Sequence, residues 1–170
     1  MSFSDSSCFL KITFILLIKA FISQVLALAI PYWFSMDAGI TKFHGSLFRI
    51  CYGVKGGYKD CFDVNDAPSW WEATQAFEVI GTLLIIAALI LTIVVVFFKS
   101  DMKILKLVAW ILSFCACGFI IVGIIIYGAK RYSTFKYSGA FALAIIAGIK
   151  MGVAGILGLM DWMNKGKQFA

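Results

Sequence analysis

Four long apolar runs constrain the fold of this 170-residue chain more than any other feature. Each run has at least twenty-one residues, and a helix rises ~1.5 Å per residue, so each can cross a bilayer. We therefore predict one four-span domain over residues 1–170. Its transmembrane helices are expected at residues 12–32, 75–98, 107–127 and 139–160, with a long loop at 33–74.

A cleaved signal peptide is the competing interpretation of the first apolar run. Lys19 interrupts that run, and no small-residue cleavage site follows it. The segment from Pro31 to Trp33 is typical of a helix end at the membrane interface. These features favour an uncleaved first helix.

Composition excludes several classes of function. Hydrophobic residues make up 62% of the chain and charged residues 14%, whereas soluble domains are about 45–50% apolar. The net charge of +6 is dispersed among short loops and helix ends, so we expect a lipid bilayer and no nucleic acid as partner. A single loop histidine, His44, and the lack of any carboxylate pair or metal-ligand spacing predict no enzymatic activity, no catalytic or metal site and no cofactor.

The distribution of lysines predicts the orientation in the membrane. Four spans place both termini on one side, and the positive-inside preference points that side to the cytoplasm. We expect a multi-pass protein of the plasma membrane with the 33–74 loop outside. The lysines on the cytoplasmic side are Lys11, Lys99, Lys103, Lys106, Lys165 and Lys167.

The long loop contains two cysteines, Cys51 and Cys61, ten positions apart. If they face each other across a hairpin, residues whose numbers sum to 112 pair, and the turn is centred on residues 55–57, where glycine supplies positive φ. Arg49 then lies opposite Asp63. We expect a disulfide here, because the outside is the oxidising compartment. The apolar outer face of this ribbon would consist of Phe48, Ile50, Tyr52, Phe62 and Val64.

The residues Trp33, Gly45, Leu47 and Phe48, followed by the pair Cys51 and Cys61, resemble the motif of a known family. The order of these residues is similar to the W…G-L-W…C…C pattern of the claudin, peripheral myelin protein and calcium-channel γ-subunit superfamily of four-span proteins. Phe48 stands where claudins have tryptophan, and Ser46 is an extra residue. Lys106 and Ala109-Trp110 also resemble the lipoma-fusion-partner-like branch. The motif residues are Trp33, Gly45, Leu47 and Phe48, followed by Cys51 and Cys61.

This resemblance implies an all-α membrane protein with a small β part: a left-handed four-helix bundle with an extracellular antiparallel sheet. A further strand is implied at residues 133–137. Trp33, Leu47 and Phe48 would then lie beneath the sheet in the mouth of the bundle. Simple anchoring of these side chains among lipid headgroups is the alternative, and it predicts the same burial.

The fourth apolar run has a surface of small residues. Ala144, Gly148 and Gly152 recur every four residues, which predicts a face where two helices approach closely. This face packs either within the monomer or against another molecule, which is a different protein or, in a homo-oligomer, a second copy of this chain. Cys115 and Cys117 in the third run are interpreted as small core residues rather than a redox pair.

Three ionisable residues lie within the predicted spans. We expect Lys19 to extend its side chain to the cytoplasmic surface, about two turns away, and Glu78 to lie near the outer end of its helix. Lys150 lies mid-span and faces another helix, a water-filled cleft or an acidic group of a partner. Cys8 is either a palmitoylation site at the cytoplasmic headgroups or a free thiol.

Two functional hypotheses follow from the resemblance. In the first, like molecules contact one another through the sheet and build cell–cell contacts or membrane junctions. In the second, the protein is an auxiliary γ-like subunit that modulates the trafficking or gating of an ion channel or receptor. Candidate contact residues are Tyr52, Lys55 and Lys150. We favour the contact hypothesis, because the short cytoplasmic tail leaves no room for a long regulatory segment.

Overall fold

Four long helices form the body of the computed structural model, which describes residues 8–54, 59–98, 103–130 and 134–167, with side chains up to residue 163. Each helix is long and apolar enough to cross a membrane, so the protein is a multi-pass membrane protein. The helices contact one another in a ring, in which α4 packs against both α1 and α3. They are α1 (Cys8–Ala29), α2 (Ser69–Phe97), α3 (Lys103–Lys130) and α4 (Gly139–Lys167).

The helix bounds differ from the bounds of the apolar runs. Helix α1 begins at Cys8, before residue 12, and ends at Ala29, because Pro31 disfavours helical backbone at the residue before it. Helix α2 begins directly after Pro68, well before residue 75. Polar residues end an apolar run without ending the helix, since the backbone hydrogen bonds do not depend on apolar side chains.

An antiparallel five-stranded sheet covers one end of the bundle, which we call the sheet end. Its strand order is β4-β3-β2-β1-β5. Four strands precede α2, and the short fifth strand precedes α4 and pairs with β1. This arrangement confirms the predicted fold class, a claudin-like four-helix bundle with a small antiparallel sheet. The strands are β1 (Phe34–Ala38), β2 (Thr41–Gly45), β3 (Arg49–Val54), β4 (Lys59–Asp63) and β5 (Lys136–Tyr137).

The predicted ribbon is the β3–β4 pair. Arg49 pairs with Asp63, and Cys51 pairs with Cys61 to form a disulfide, so the predicted register and the disulfide are confirmed. The predicted turn at residues 55–57 lies outside the described residues. The ribbon is part of a wider sheet, because β2 pairs with the other side of β3. A tight turn joins β1 to β2, and Gly39 adopts the positive φ of 70° that this turn requires.

Two buried clusters fill the interior. One lies in the body of the bundle and includes Leu17, Ile85, Trp110 and Met151. The other lies beneath the sheet and is rich in aromatic side chains, including Trp33 and Trp71. The second cluster joins the sheet to the ends of all four helices and fixes its position on the bundle.

Candidate functional site

Trp33 attaches the sheet to the bundle. Its side chain is fully buried, and its indole Nε1 donates a hydrogen bond of 2.6 Å to the carbonyl oxygen of Ala27 in α1. The backbone N–H of Trp33 donates to the carbonyl of Gly45, and its carbonyl accepts from Ser138 just before α4. One residue thus joins α1, the sheet and the start of α4.

Leu47 provides a second attachment, to α2. Its side chain is fully buried, and its carbonyl oxygen accepts two hydrogen bonds. One comes from Trp71 Nε1 at 2.7 Å and the other from Gln75 Nε2 at 2.6 Å. A carbonyl that accepts two side-chain donors from α2 holds the β2–β3 turn in a fixed place on that helix.

The turn that presents Leu47 depends on its two preceding residues. A Cβ atom at Gly45 would lie 2.7 Å from the ring of Phe34, so only glycine fits there. The hydroxyl of Ser46 accepts hydrogen bonds from the backbone N–H groups of Phe48 and Arg49. The extra serine therefore closes the turn with its own side chain.

The prediction that Phe48 lies beneath the sheet is wrong. Trp33 and Leu47 have no exposed surface, whereas Phe48 is 40% exposed. Leu47 and Phe48 both lie in the turn between β2 and β3 that Ser46 closes, and this turn buries the side chain of Leu47 while that of Phe48 remains partly exposed.

Aromatic side chains that sequence analysis did not select complete the site beneath the sheet. The ring centroid of Tyr127 in α3 lies 5.2 Å from that of Trp33 and 5.7 Å from that of Trp71. Phe141 in α4 stacks edge-on with Trp33 at 5.6 Å. A tryptophan pair at positions 70 and 71, directly before an apolar run, is a signal that could have found Trp71.

The apolar face of the ribbon turns toward the bundle at its base and is partly exposed further out. Sequence analysis assumed that this whole face points outward. Ile50 and Val64 instead pack against the buried cluster beneath the sheet. Beyond them, the ring centroid of Tyr52 lies 6.3 Å from those of both Phe43 and Phe62. We call Phe43, Tyr52 and Phe62 the aromatic strip. Phe62 is 50% exposed.

The opposite face of the sheet is polar. A groove of about 500 Å³ beside it has a mixed lining, in which the apolar side chains include Met36, Phe43 and Val54 and the polar ones Ser35, Asp37, Lys42, His44 and Lys59. His44 stacks on Tyr32 with ring centroids 4.7 Å apart. Burial, and secondarily the positive charge of Lys59, lower the pKa of His44, so this imidazole is neutral at neutral pH. Lys55, the other candidate contact residue of the ribbon, lies outside the described residues.

The small residues of α4 face α3. A Cβ atom at Gly148 would lie 3.3 Å from Ile120, and one at Gly152 would lie 3.2 Å from the sulfur of Cys117. Ala144 is fully buried. The structure therefore accounts for this face by packing within the chain.

The ionisable residues of the helices occupy different surroundings. Glu78 is fully buried, and its Oε2 accepts a 2.6 Å hydrogen bond from Gln24 Nε2 in α1. Lys19 is exposed and lies at the centre of α1, because that helix begins at Cys8. The helix bounds do not mark the membrane surface, so the distance of about two turns from Lys19 to the cytoplasmic surface stays a prediction. Lys150 Nζ donates a 2.8 Å hydrogen bond to the hydroxyl of Ser23.

The three remaining cysteines are free thiols. Cys8 is exposed at the start of α1, and Cys115 is exposed on α3, so Cys115 is not the core residue that we expected. Cys117 is half-buried and faces Gly152. In the described part of the chain, no group of three or more His, Cys, Asp or Glu side chains is placed to hold a metal ion.

Comparison with known proteins gives a weak but extended similarity. No protein-family model matches the sequence. The chain is 24% identical over 141 residues to the human lens fiber membrane intrinsic protein. The alignment covers 78% of this chain and 79% of that protein. The bovine protein of the same name is 24% identical over 143 residues, with the same coverage. This similarity supports the claudin-like four-span class that the motif resemblance implies.

Proposed function

We propose that this protein is a claudin-like protein of the plasma membrane that organises cell–cell contacts or membrane junctions through its sheet. In this proposal both termini are cytoplasmic and the sheet end lies outside. Like molecules in the same or the facing membrane are the partners. The observation that carries the proposal is the aromatic strip, an apolar surface presented on a firmly attached sheet.

The strip has the properties of a contact site. Large aromatic side chains are the usual anchors of protein interfaces, and Phe62 exposes half of its surface. The disulfide and the hydrogen bonds at Trp33 and Leu47 hold the sheet in place. Little ordering free energy is then lost when the strip binds a partner.

Localisation in cells tests this proposal. Cells that lack the protein are made to express a fluorescently tagged form and are mixed with non-expressing cells. We expect the protein to concentrate at borders between two expressing cells and not at borders with non-expressing cells. Uniform surface distribution would contradict the proposal.

Variants of the strip make the test specific. The double substitution Tyr52→Ala and Phe62→Ala should reduce border enrichment by at least about tenfold, since interface anchors contribute about 2 kcal/mol or more each. Tyr52→Phe keeps the ring and should retain enrichment. Lys42→Ser, on the polar face of the sheet, is the matched control. Equal enrichment in all variants would show that the strip is not the contact.

An auxiliary subunit of a channel or receptor is the second candidate function, and Lys19 and Lys150 favour it. Cationic side chains in the middle of a membrane-spanning helix are costly, about 2.5–3.5 kcal/mol, and they commonly pair with acidic groups. In this case the protein should be diffuse when expressed alone. Co-expression with its partner should then change that partner's surface level or currents.

A further inference from the structure

Two lysines lie at the same depth in the middle of adjacent helices. Lys19 is eleven residues after the first residue of α1 and ten before the last. Lys150 is eleven residues after the first residue of α4. Lys150 Nζ lies 3.5 Å from the backbone carbonyl oxygen of Lys19, so the two residues lie side by side along the line where α1 and α4 pack. We call this the lysine groove.

Among the described residues, only neutral groups contact the ammonium group of Lys150. Lys150 Nζ donates to the hydroxyl of Ser23, which itself donates to the carbonyl of Lys19. Within the part of the chain that the structure describes, neither lysine forms an ion pair. Lys19 Nζ has no hydrogen bond among these residues either.

No described carboxylate forms an ion pair with Lys19 or Lys150. Glu78 lies on another side of α1, fully buried and bonded to Gln24. Asp161 is buried near the far end of α4. The other acidic residues of the chain lie outside the apolar runs. The negative charge that complements the groove must therefore come from another molecule.

The exposed side chains of α1 beside the lysine groove also have the spacing of a helix-binding surface. Exposed side chains on α1 repeat at alternating intervals of three and four residues, with Lys19 at the central position. A repeat of this kind forms the seam where a second helix packs, and one polar residue within it fixes the register. The apolar members of this repeat are Ile12, Ile15, Ile22 and Leu26, each more than 40% exposed.

The geometry points to the lysine groove as the docking site for a membrane-spanning helix of a different protein, one that carries a carboxylate at mid-membrane depth. A carboxylate beside the two ammonium groups would pair the charges away from water. A second copy of this chain is a poor occupant, because it would bring two more lysines and no exposed carboxylate at that depth. This inference concerns a lateral partner and is independent of the sheet contact proposed above.

A designed peptide tests this inference. The probe is a synthetic helix of roughly twenty leucine and alanine residues with one central glutamate. It is mixed with the purified full chain in phosphatidylcholine vesicles, and association is measured by energy transfer between fluorescent labels. The same peptide with central glutamine or leucine is the control. We expect the glutamate peptide to bind about tenfold more tightly than the leucine peptide.

Variants of the chain assign the binding to the groove. Lys19→Leu removes no hydrogen bond of that side chain, so it should fold normally and weaken binding of the glutamate peptide about tenfold. Lys19→Arg should retain binding, and so should Lys130→Leu at the end of α3. Lys150→Leu should weaken binding in the same way as Lys19→Leu. This variant is compared only in samples that have an intact disulfide and an unchanged unfolding temperature.

Three results would overturn the inference. The first is equal binding of the glutamate and leucine peptides, and the second is unchanged binding to Lys19→Leu. The third is lysine-dependent association of labelled copies of the chain without peptide, which would make a second copy the occupant. Border enrichment in cells is measured separately, so either proposal can fail while the other stands.

Discussion

Among the described glycines of α4, Gly158 leaves the least room for a side chain. A Cβ atom at this position would overlap the buried indole ring of Trp110 in α3. Gly118 in the middle of α3 is its opposite, since a Cβ atom there would meet nothing within 4 Å. The two glycines have the same helical backbone and different neighbours, so they separate the cost of overpacking from helix propensity.

We expect Gly158→Ala to lower the free energy of unfolding by about 1–3 kcal/mol, the usual cost of forcing extra volume into a packed interior. Gly118→Ala should raise that free energy or leave it unchanged, because alanine favours a helix by up to about 1 kcal/mol over glycine. Reversible unfolding in mild detergent measures both. The same sign of effect for the two variants would show that α4 does not pack against α3 as described.

At the scale of structural elements, one carbonyl oxygen connects the β2–β3 turn to α2. The Leu47 carbonyl accepts from both Trp71 and Gln75. Either donor alone still satisfies it. The double variant Trp71→Phe with Gln75→Leu should leave a buried carbonyl without a donor, at a cost of about 1–3 kcal/mol beyond the sum of the single variants.

A double-mutant cycle in the same unfolding assay measures this non-additivity. Thr74→Val is a suitable control, because Thr74 lies on the same helix and bonds only to its own helix, at the carbonyl of Trp70. Additive effects of the Trp71 and Gln75 substitutions would show that water or another donor reaches the carbonyl when both are removed.

The elements that sequence analysis predicted are those with a strong local pattern. Apolar runs longer than twenty residues define the four helices, and strand alternation with the Cys51–Cys61 spacing defines the β3–β4 register. Strand β1 alternates as well, with Phe34, Met36 and Ala38 apolar, but sequence analysis assigned no register to the β1–β2 hairpin. The positions of Trp71 and Gln75 depend on where α2 meets the sheet, and that contact is not encoded in any local periodicity.

The exposure of Phe48 was mispredicted, and the central position of Lys19 within α1 was not predicted. Side-chain direction at Phe48 is decided by the Ser46 turn, a hydrogen-bond arrangement that the motif resemblance does not include. The position of Lys19 within α1 depends on where that helix begins, and helix ends are the least certain feature of an apolar run. The packing of Gly148 and Gly152 was left open between two partners, because spacing identifies a close-packing face and not the helix that covers it.

For the whole molecule, the two ends of the bundle differ in chemistry. The sheet end contains the disulfide, the aromatic strip and the groove of mixed lining. The opposite end includes the start of α1, where the thiol of Cys8 is exposed. If the disulfide forms in an oxidising compartment, the sheet end lies on the oxidising side of the membrane and the opposite end lies on the cytoplasmic side.

Chemical labelling of intact cells tests this orientation. Ile40 in the β1–β2 turn is 70% exposed, so a membrane-impermeant maleimide should label an Ile40→Cys variant on intact cells. Cys8 should react only after the membrane is permeabilised, or only after hydroxylamine treatment as well if it is palmitoylated. Cys115 is an internal control, because its exposed thiol lies within the apolar run of α3 and should resist the reagent in both conditions. Labelling of Cys8 on intact cells would place the termini outside. The aromatic strip would then lie in the cytoplasm, where it could not join the facing membranes of two cells.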